Sequence, residues 1–176
     1  IYDVDKRAPN PEAREREIRA ALERSLAGTG VDHIGVLHFD IHVQEMSPTP
    51  EKALPSARRL QELSPPDAGH LQHMPSHIHA LVGDFDEATR CSRLSMATDK
   101  RFMANLHRTP FYRTLVCHDI HMLMFAGMQT GNLSDAADAA IVMAEILENV
   151  LVHPPVTHMD MTLEGYYATI AYVDVR

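Results

Sequence analysis

Glycine and proline residues divide this chain into segments of roughly 10 to 20 residues, and this division constrains the fold more than any other feature. Within most segments, apolar side chains recur with the period of about 3.6 residues that is typical of an amphipathic helix. In the first segment, 12–26, Ile18, Leu22 and Leu26 share one stripe, and Gly28 ends the pattern. Short helices separated by tight turns can bury such stripes only against one another. The sequence therefore predicts an all-α protein made of antiparallel helix pairs.

The breaks also give the bounds of the predicted elements. Helices are expected over residues 12–26, 34–46, 50–63, 75–82, 85–98, 111–129 and 134–150. Pro75 is expected in the first turn of its helix, because an interior proline loses a hydrogen bond and clashes with the preceding turn. The apolar residues 161–173 fit either a helix or a strand. With 176 residues, the chain has room for a single domain, 1–176, or about three to four helix pairs.

Charge and hydropathy exclude several classes of partner. The net charge is −8 and no lysine–arginine cluster occurs, so no nucleic-acid partner is expected. No apolar run approaches the ~20 residues of a membrane-spanning helix, and the first residues are too polar for a signal peptide, which favours a cytoplasmic location. The chain begins without methionine and is therefore also compatible with a fragment.

Cys91 and Cys117 lie in apolar helical patterns and are expected to be small buried side chains.

Histidine is the residue type that points to chemistry, with 12 in the chain and seven of them in three spaced groups. The groups are His38 and His42; His70, His73 and His77; and His118 and His121. Spacings of four and three residues place imidazoles on one helix face, and Glu45 continues the face of the first group. A glutamate next to the first histidine, which zinc peptidases use as a general base, is replaced here by Phe39. The five other histidines are expected at the surface: His33, His79, His107, His153 and His158.

A single helical pair of histidines is more often a surface or hydrogen-bonded feature than a pair of metal ligands. Three groups on the first helices of successive pairs can converge on one surface, where seven imidazoles without a cation would be costly to bury. The sequence thus predicts a metal site with all seven as ligands and with Glu45 as an outer ligand or a general base. Imidazole-rich sites suit copper, zinc, nickel or iron. The number of imidazoles fits two ions, each held by about three.

Two turns resemble the turn between the paired helices of tetratricopeptide repeats, namely residues 83–88 (Gly-Asp-Phe-Asp-Glu-Ala) and 131–136 (Gly-Asn-Leu-Ser-Asp-Ala). A weaker third instance is at 51–53. The resemblance implies a short solenoid of stacked helix pairs with a concave groove, and an insertion around residues 100–110 where the spacing is too long. The histidine motifs together are similar to those of a group of microbial and fungal tetratricopeptide-domain proteins without an assigned activity. In ligand type alone, the predicted site also resembles the paired-copper sites of tyrosinase-like and haemocyanin-like proteins.

The leading hypothesis is a copper-dependent, oxygen-using oxidoreductase that acts on a small organic or peptide-derived molecule in the groove, with zinc or iron as alternative metals. Tyr112 and Asp119 would orient imidazoles. One alternative is a non-catalytic scaffold that binds a partner peptide and holds a structural zinc or no metal. Another is metal storage, for which Met74, Met122 and Met124 lie near the histidines. Exposed terminal helix faces on a short solenoid are compatible with a homo-oligomer.

Overall fold

The computed structural model describes the backbone of residues 2–3, 8–9, 11–105 and 110–152, and the side chains of residues 14–103 and 112–148. Within these ranges all regular secondary structure is helical apart from one antiparallel pair of two-residue strands, β1 (Tyr2–Asp3) and β2 (Ala8–Pro9), so the all-α prediction is confirmed. No helix in this part of the chain has both the length and the apolarity needed to cross a membrane. The predicted segment 161–173 lies outside the described residues.

Eight α-helices follow one another along the chain. They are α1 (Pro11–Leu26), α2 (Ile34–Glu45), α3 (Leu54–Leu63), α4 (Gly69–His73), α5 (Pro75–Leu81), α6 (Phe85–Asn105), α7 (Pro110–Thr130) and α8 (Leu133–Val152). Two 3-10 helices, Thr29–Asp32 and Pro50–Ala53, precede α2 and α3. Pro75 opens α5 as predicted. Gly83 (φ +83°) and Gly131 (φ +72°) supply the left-handed backbone in the turns before α6 and α8.

Three details differ from the sequence prediction. Residues 69–73, expected as a lead-in to the next helix, form the separate helix α4, because Pro75 allows a new helix to begin but not the old one to continue. Helix α6 runs to Asn105 rather than ending at 98, since nothing between 99 and 105 breaks a helix; the expected insertion is thus partly helical. The helical period over residues 85–98 predicts Ala88, Cys91, Leu94 and Met96 on the inward face, but Leu94 is 48% exposed.

The buried apolar side chains form two clusters. Leu37 and Ile41 of α2 pack with Leu60 of α3 and Ile78 of α5 in the first cluster. The second consists of residues from α7 and α8, among them Ile120. Helix α5 contacts both α2 and α7, so side chains on these three helices can meet. Cys91 and Cys117 are free and buried, as expected.

Candidate metal centre

Six of the seven predicted ligands come together as two adjacent groups of three imidazoles. Group A consists of His38, His42 and His70, and group B consists of His73, His77 and His118. Within each group, one ring nitrogen of each histidine lies within 4.8 Å of the other two. The rings of the two groups are neighbours, with ring centroids 5.8 Å apart for His70 and His73. The described part of the chain thus contains two sets of nitrogen donors side by side.

Group A combines one turn of α2 with the start of α4. His38 and His42 lie four residues apart on one face of α2, and their Nε2 atoms are 3.1 Å apart. The His70 ring approaches His38 from α4, with centroids 5.4 Å apart. The neighbouring face of α2 carries Leu37 and Ile41 into the first cluster, which holds the histidine face in place.

Group B brings together three helices. His73 ends α4, His77 lies in the first turn of α5, and His118 projects from α7. The Nε2 atom of His73 is 2.8 Å from that of His77 and 3.2 Å from that of His118. Three imidazole nitrogens bound tetrahedrally to one ion at about 2.0 Å would be about 3.3 Å apart, close to these values.

Glu45 connects the two groups. One of its oxygens lies 2.7 Å from Nδ1 of His42 and the other lies 2.8 Å from Nδ1 of His77. Burial alone raises the pKa of Glu45, but the hydrogen bonds from both histidines outweigh it and lower the pKa to about 2. Because an ionised carboxylate only accepts hydrogen bonds, it fixes Nδ1 of both rings as the protonated nitrogen and leaves the lone pairs on Nε2.

A second carboxylate, Asp119, supports the other side of the centre. Its Oδ1 lies 3.0 Å from Nδ1 of His70, and burial raises its pKa although the contact with His70 partly offsets this. Ser95 lies between Asp119 and Asp99, and the Tyr112 hydroxyl donates a hydrogen bond to Asp99. Asp99 in turn is pressed against the start of α4: a Cβ at Gly69 would lie 2.1 Å from Asp99 Oδ1.

Three histidines of the centre, His38, His73 and His118, have lowered pKa values, which favours the neutral form that metal binding requires. Burial, followed by repulsion from His42 and His70, lowers the pKa of His38 to about 4. Burial, followed by repulsion from His77, lowers the pKa of His118 to about 4, and the pKa of the fully buried His73 falls well below its usual range for the same reasons. At neutral pH these rings therefore carry lone pairs rather than positive charge.

No placement of protons on neutral rings gives every Nε2 contact in group B its own N–H donor and an acceptor while His77 donates to Glu45. With Nδ1 of His77 donating to Glu45, its Nε2 is a lone pair that faces His73. If His73 Nε2 donates to His77, it cannot accept from His118; if it accepts from His118, two lone pairs face each other 2.8 Å apart. Nδ1 of His73 is also buried without a hydrogen-bond partner. A metal ion among the three Nε2 atoms would bind all three Nε2 lone pairs at once, so these residues fit a metal.

The remaining predicted residues occupy other positions. His121, predicted as a ligand, belongs to neither group. Of the two residues expected to orient imidazoles, Asp119 contacts His70, and the Tyr112 hydroxyl donates a hydrogen bond to Asp99. His33 caps α2 and accepts the Val36 N–H.

His79, expected at the surface, is buried instead and lies 3.4 Å from Asp84, because it faces the turn between α5 and α6. His107, His153 and His158 lie outside the described residues.

Ser95 and Asp99 were not anticipated from the sequence. The only signal for them is their spacing of four residues on one face of α6, among other small polar residues. That pattern resembles an ordinary solvated face and becomes recognisable only when both side chains are seen to be buried. Comparison with protein-family models, with curated proteins and with solved structures found no match to this chain.

Proposed function

We propose that this protein is a copper-dependent oxidoreductase that acts on a small organic or peptide-derived substrate. It would bind two metal ions, one in each histidine group. The observation that carries the proposal is the position of Glu45, whose two oxygens contact one histidine of each group. Such a carboxylate–histidine contact orients metal-binding imidazoles in proteins. One side chain thereby orients a histidine of each group for metal binding.

The donor set argues for copper over harder ions. Both groups consist of imidazoles alone, a donor that suits copper, zinc, iron and nickel and disfavours magnesium and calcium. Copper binds such sites most tightly among the divalent ions of this series. Three protein ligands per ion also leave a coordination position open, as in catalytic rather than structural sites.

A redox role follows from placing two such ions next to each other. Bound copper would pass electrons from the substrate to dioxygen. The reaction balances when two substrate molecules, each losing two electrons and two protons, are oxidised for each O₂ reduced to two water molecules. The chain's own contribution has three parts. Burial favours the neutral form of His38, His73 and His118. Glu45 and Asp119 orient the Nδ1 atoms of His42, His77 and His70, and burial of His73 and His77 shields group B from water.

The stacking of the helices as a tetratricopeptide-like solenoid, with the substrate in its groove, is part of the same proposal. It is supported by Gly83 and Gly131, whose positive φ angles end the helices before the two turns. It is also supported by Ala88 and Ala136, which are fully buried where the paired helices would touch. Larger residues at these two alanines would force the paired helices apart.

The proposal is tested by measuring bound metal in the full chain, purified without a metal-binding tag and reconstituted with copper. We expect about two copper ions per chain, loss of the group A ion in His38→Ala, and loss of the group B ion in His118→Ala. His121→Ala is the matched control and is expected to retain both ions. The copper-loaded protein should consume oxygen with ascorbate as electron donor, and the double variant His38→Ala/His118→Ala should not.

The other outcomes identify the alternatives. A single tightly held zinc ion that excludes copper would contradict the oxidoreductase and favour a structural site. Absence of stoichiometric metal after reconstitution with copper, zinc and iron would overturn the metal centre altogether. The chain would then be better described as a helical scaffold that binds a protein partner.

A further inference from the structure

The two histidine groups differ in their access to solvent. In group A, the side chains of His42 and His70 are 38% and 25% exposed. In group B, the side chain of His73 is completely buried and that of His77 is 15% exposed. An external molecule can therefore reach the nitrogen donors of group A more directly than those of group B.

The surroundings of group A are also distinctive. Phe39 follows His38 on α2, and its ring lies 5.4 Å from the His38 ring at a tilt of 39°. It is nevertheless 59% exposed, although a large aromatic side chain gains free energy by burial. Met46, one residue after Glu45, is 84% exposed on the same helix end. The Phe39 ring is therefore an exposed apolar surface next to group A.

We infer that the two ions have different tasks: the ion in group A exchanges ligands and binds substrate, the ion in group B is closed to external ligands, and Phe39 is a specificity-determining residue. This inference rests on the proposed function, since it requires ions in both groups. The substrate class that fits is a small molecule with an oxygen or nitrogen donor for the metal and an aromatic or apolar part next to it. The donor would bind at the open position of group A while the apolar part covers the Phe39 ring.

The first experiment asks how many ions accept an external ligand. The protein, loaded with two copper(II) ions, is titrated with azide, which binds open copper positions and gives a characteristic absorption band. We expect one azide per chain. His118→Ala, which removes a ligand of group B, should keep the azide band, and His38→Ala, which removes a ligand of group A, should abolish it. Two azides per chain, or a band that survives His38→Ala and is lost in His118→Ala, would overturn the assignment.

The second experiment tests Phe39 with two ligands that share a metal-binding group. Benzohydroxamate and acetohydroxamate differ in an aromatic ring, so the ratio of their dissociation constants reports the contact with Phe39. Phe39→Ala should reduce the preference for benzohydroxamate by about two- to tenfold, the usual value of an aromatic contact, and leave the binding of azide unchanged. Phe125→Ala, which removes another half-exposed phenylalanine on α7, is the control. An unchanged ratio in Phe39→Ala would contradict the specificity role.

A measurement without metal separates this inference from the proposed function. Diethylpyrocarbonate modifies accessible histidines, and mass spectrometry gives the rate for each one. In the metal-free protein, His42 and His70 should react at least several times faster than His73, and equal rates would overturn the difference in access. If no metal binds at all, the proposed function fails; if two ions bind and both accept azide, only the present inference fails.

Discussion

The carboxylate of Glu45 accepts one imidazole N–H on each of its two oxygens, one from His42 and one from His77. Replacement by glutamine keeps the shape but changes this balance, because an amide offers one acceptor oxygen and one NH₂ donor. One of the two histidines would have to turn over or exchange its proton to the other nitrogen. The Nε2 lone pair that faces the metal would then be lost from that ring.

We therefore expect Glu45→Gln to weaken metal binding by about 10- to 100-fold, the usual effect of removing a residue that orients a ligand. Competition with a chelator of known affinity would measure this. Glu51→Gln changes an exposed glutamate on the 3-10 helix before α3 and should leave the affinity unchanged. An affinity in Glu45→Gln equal to that of the unaltered protein would show that the two contacts do not set the ring orientations.

At the residue scale, the sequence predicted most of the histidines of the centre but not how they are divided between groups A and B. Spacing along a helix predicted that His38 and His42 share a face, and the structure agrees. Nothing in the spacing indicated that His70 joins α2 whereas His73, three residues later, joins α5 and α7. That separation depends on the way α4 lies between other helices, which is a tertiary property. His118 and His121 form a similar pair by spacing, and only His118 belongs to a group.

At the scale of the elements, helix α7 packs closely at Gly127 against the start of α8. A Cβ at this position would lie 3.0 Å from the Asn132 carbonyl oxygen and 3.1 Å from the Ala136 backbone nitrogen. Both are backbone atoms, which cannot turn aside as the end of a side chain can. A larger residue would therefore have to push the two helices apart.

Gly127→Ala is accordingly expected to lower the free energy of unfolding by about 1–3 kcal/mol, although alanine is the better helix former. Urea denaturation followed by circular dichroism would measure the change. Ser134→Ala, at an exposed position of α8, is a suitable comparison and should change stability by less than about 0.5 kcal/mol. Should Gly127→Ala be as stable as the unaltered chain, the close packing of α7 on α8 would be contradicted.

Element bounds could be predicted where glycine or proline marks them. Pro75 gave the start of α5, and Gly131 gave the turn between α7 and α8 to within one residue, because each acts through its own backbone. The separate helix α4 and the extension of α6 to Asn105 were missed. Neither segment ends at a glycine or proline that would mark the end of its helix, so its conformation depends on whether it packs against another helix. The sequence alone does not provide that information.

Across the whole molecule, the ligands come from α2, α4, α5 and α7, so two bound ions would join residues between His38 and His118. Free energy of metal binding to the folded chain adds to the free energy of unfolding. The all-α class and the presence of a histidine centre followed from the sequence, but the convergence of these four helices required the structure.

We expect zinc, which is redox-inert, to raise the melting temperature. At a free concentration of about 100 times the dissociation constant, each ion contributes about 2.7 kcal/mol, or a rise of roughly 5–10 °C for a chain of this size. Excess chelator should reverse the shift. His38→Ala/His118→Ala should show no shift and His121→Ala the full one. A melting temperature that does not respond to zinc or copper would be evidence against ligands on separate helices.

The contact between Gly69 and Asp99 limits how this molecule can vary. Any side chain at 69 would either displace Asp99 from Tyr112 and Ser95 or move the start of α4, with His70, away from Asp99. Natural variants that keep the aspartate are therefore expected to keep the glycine, and loss of one should accompany loss of the other. This coupled pair, 30 positions apart, could serve with the histidines as a signature for recognising descendants of the same ancestor.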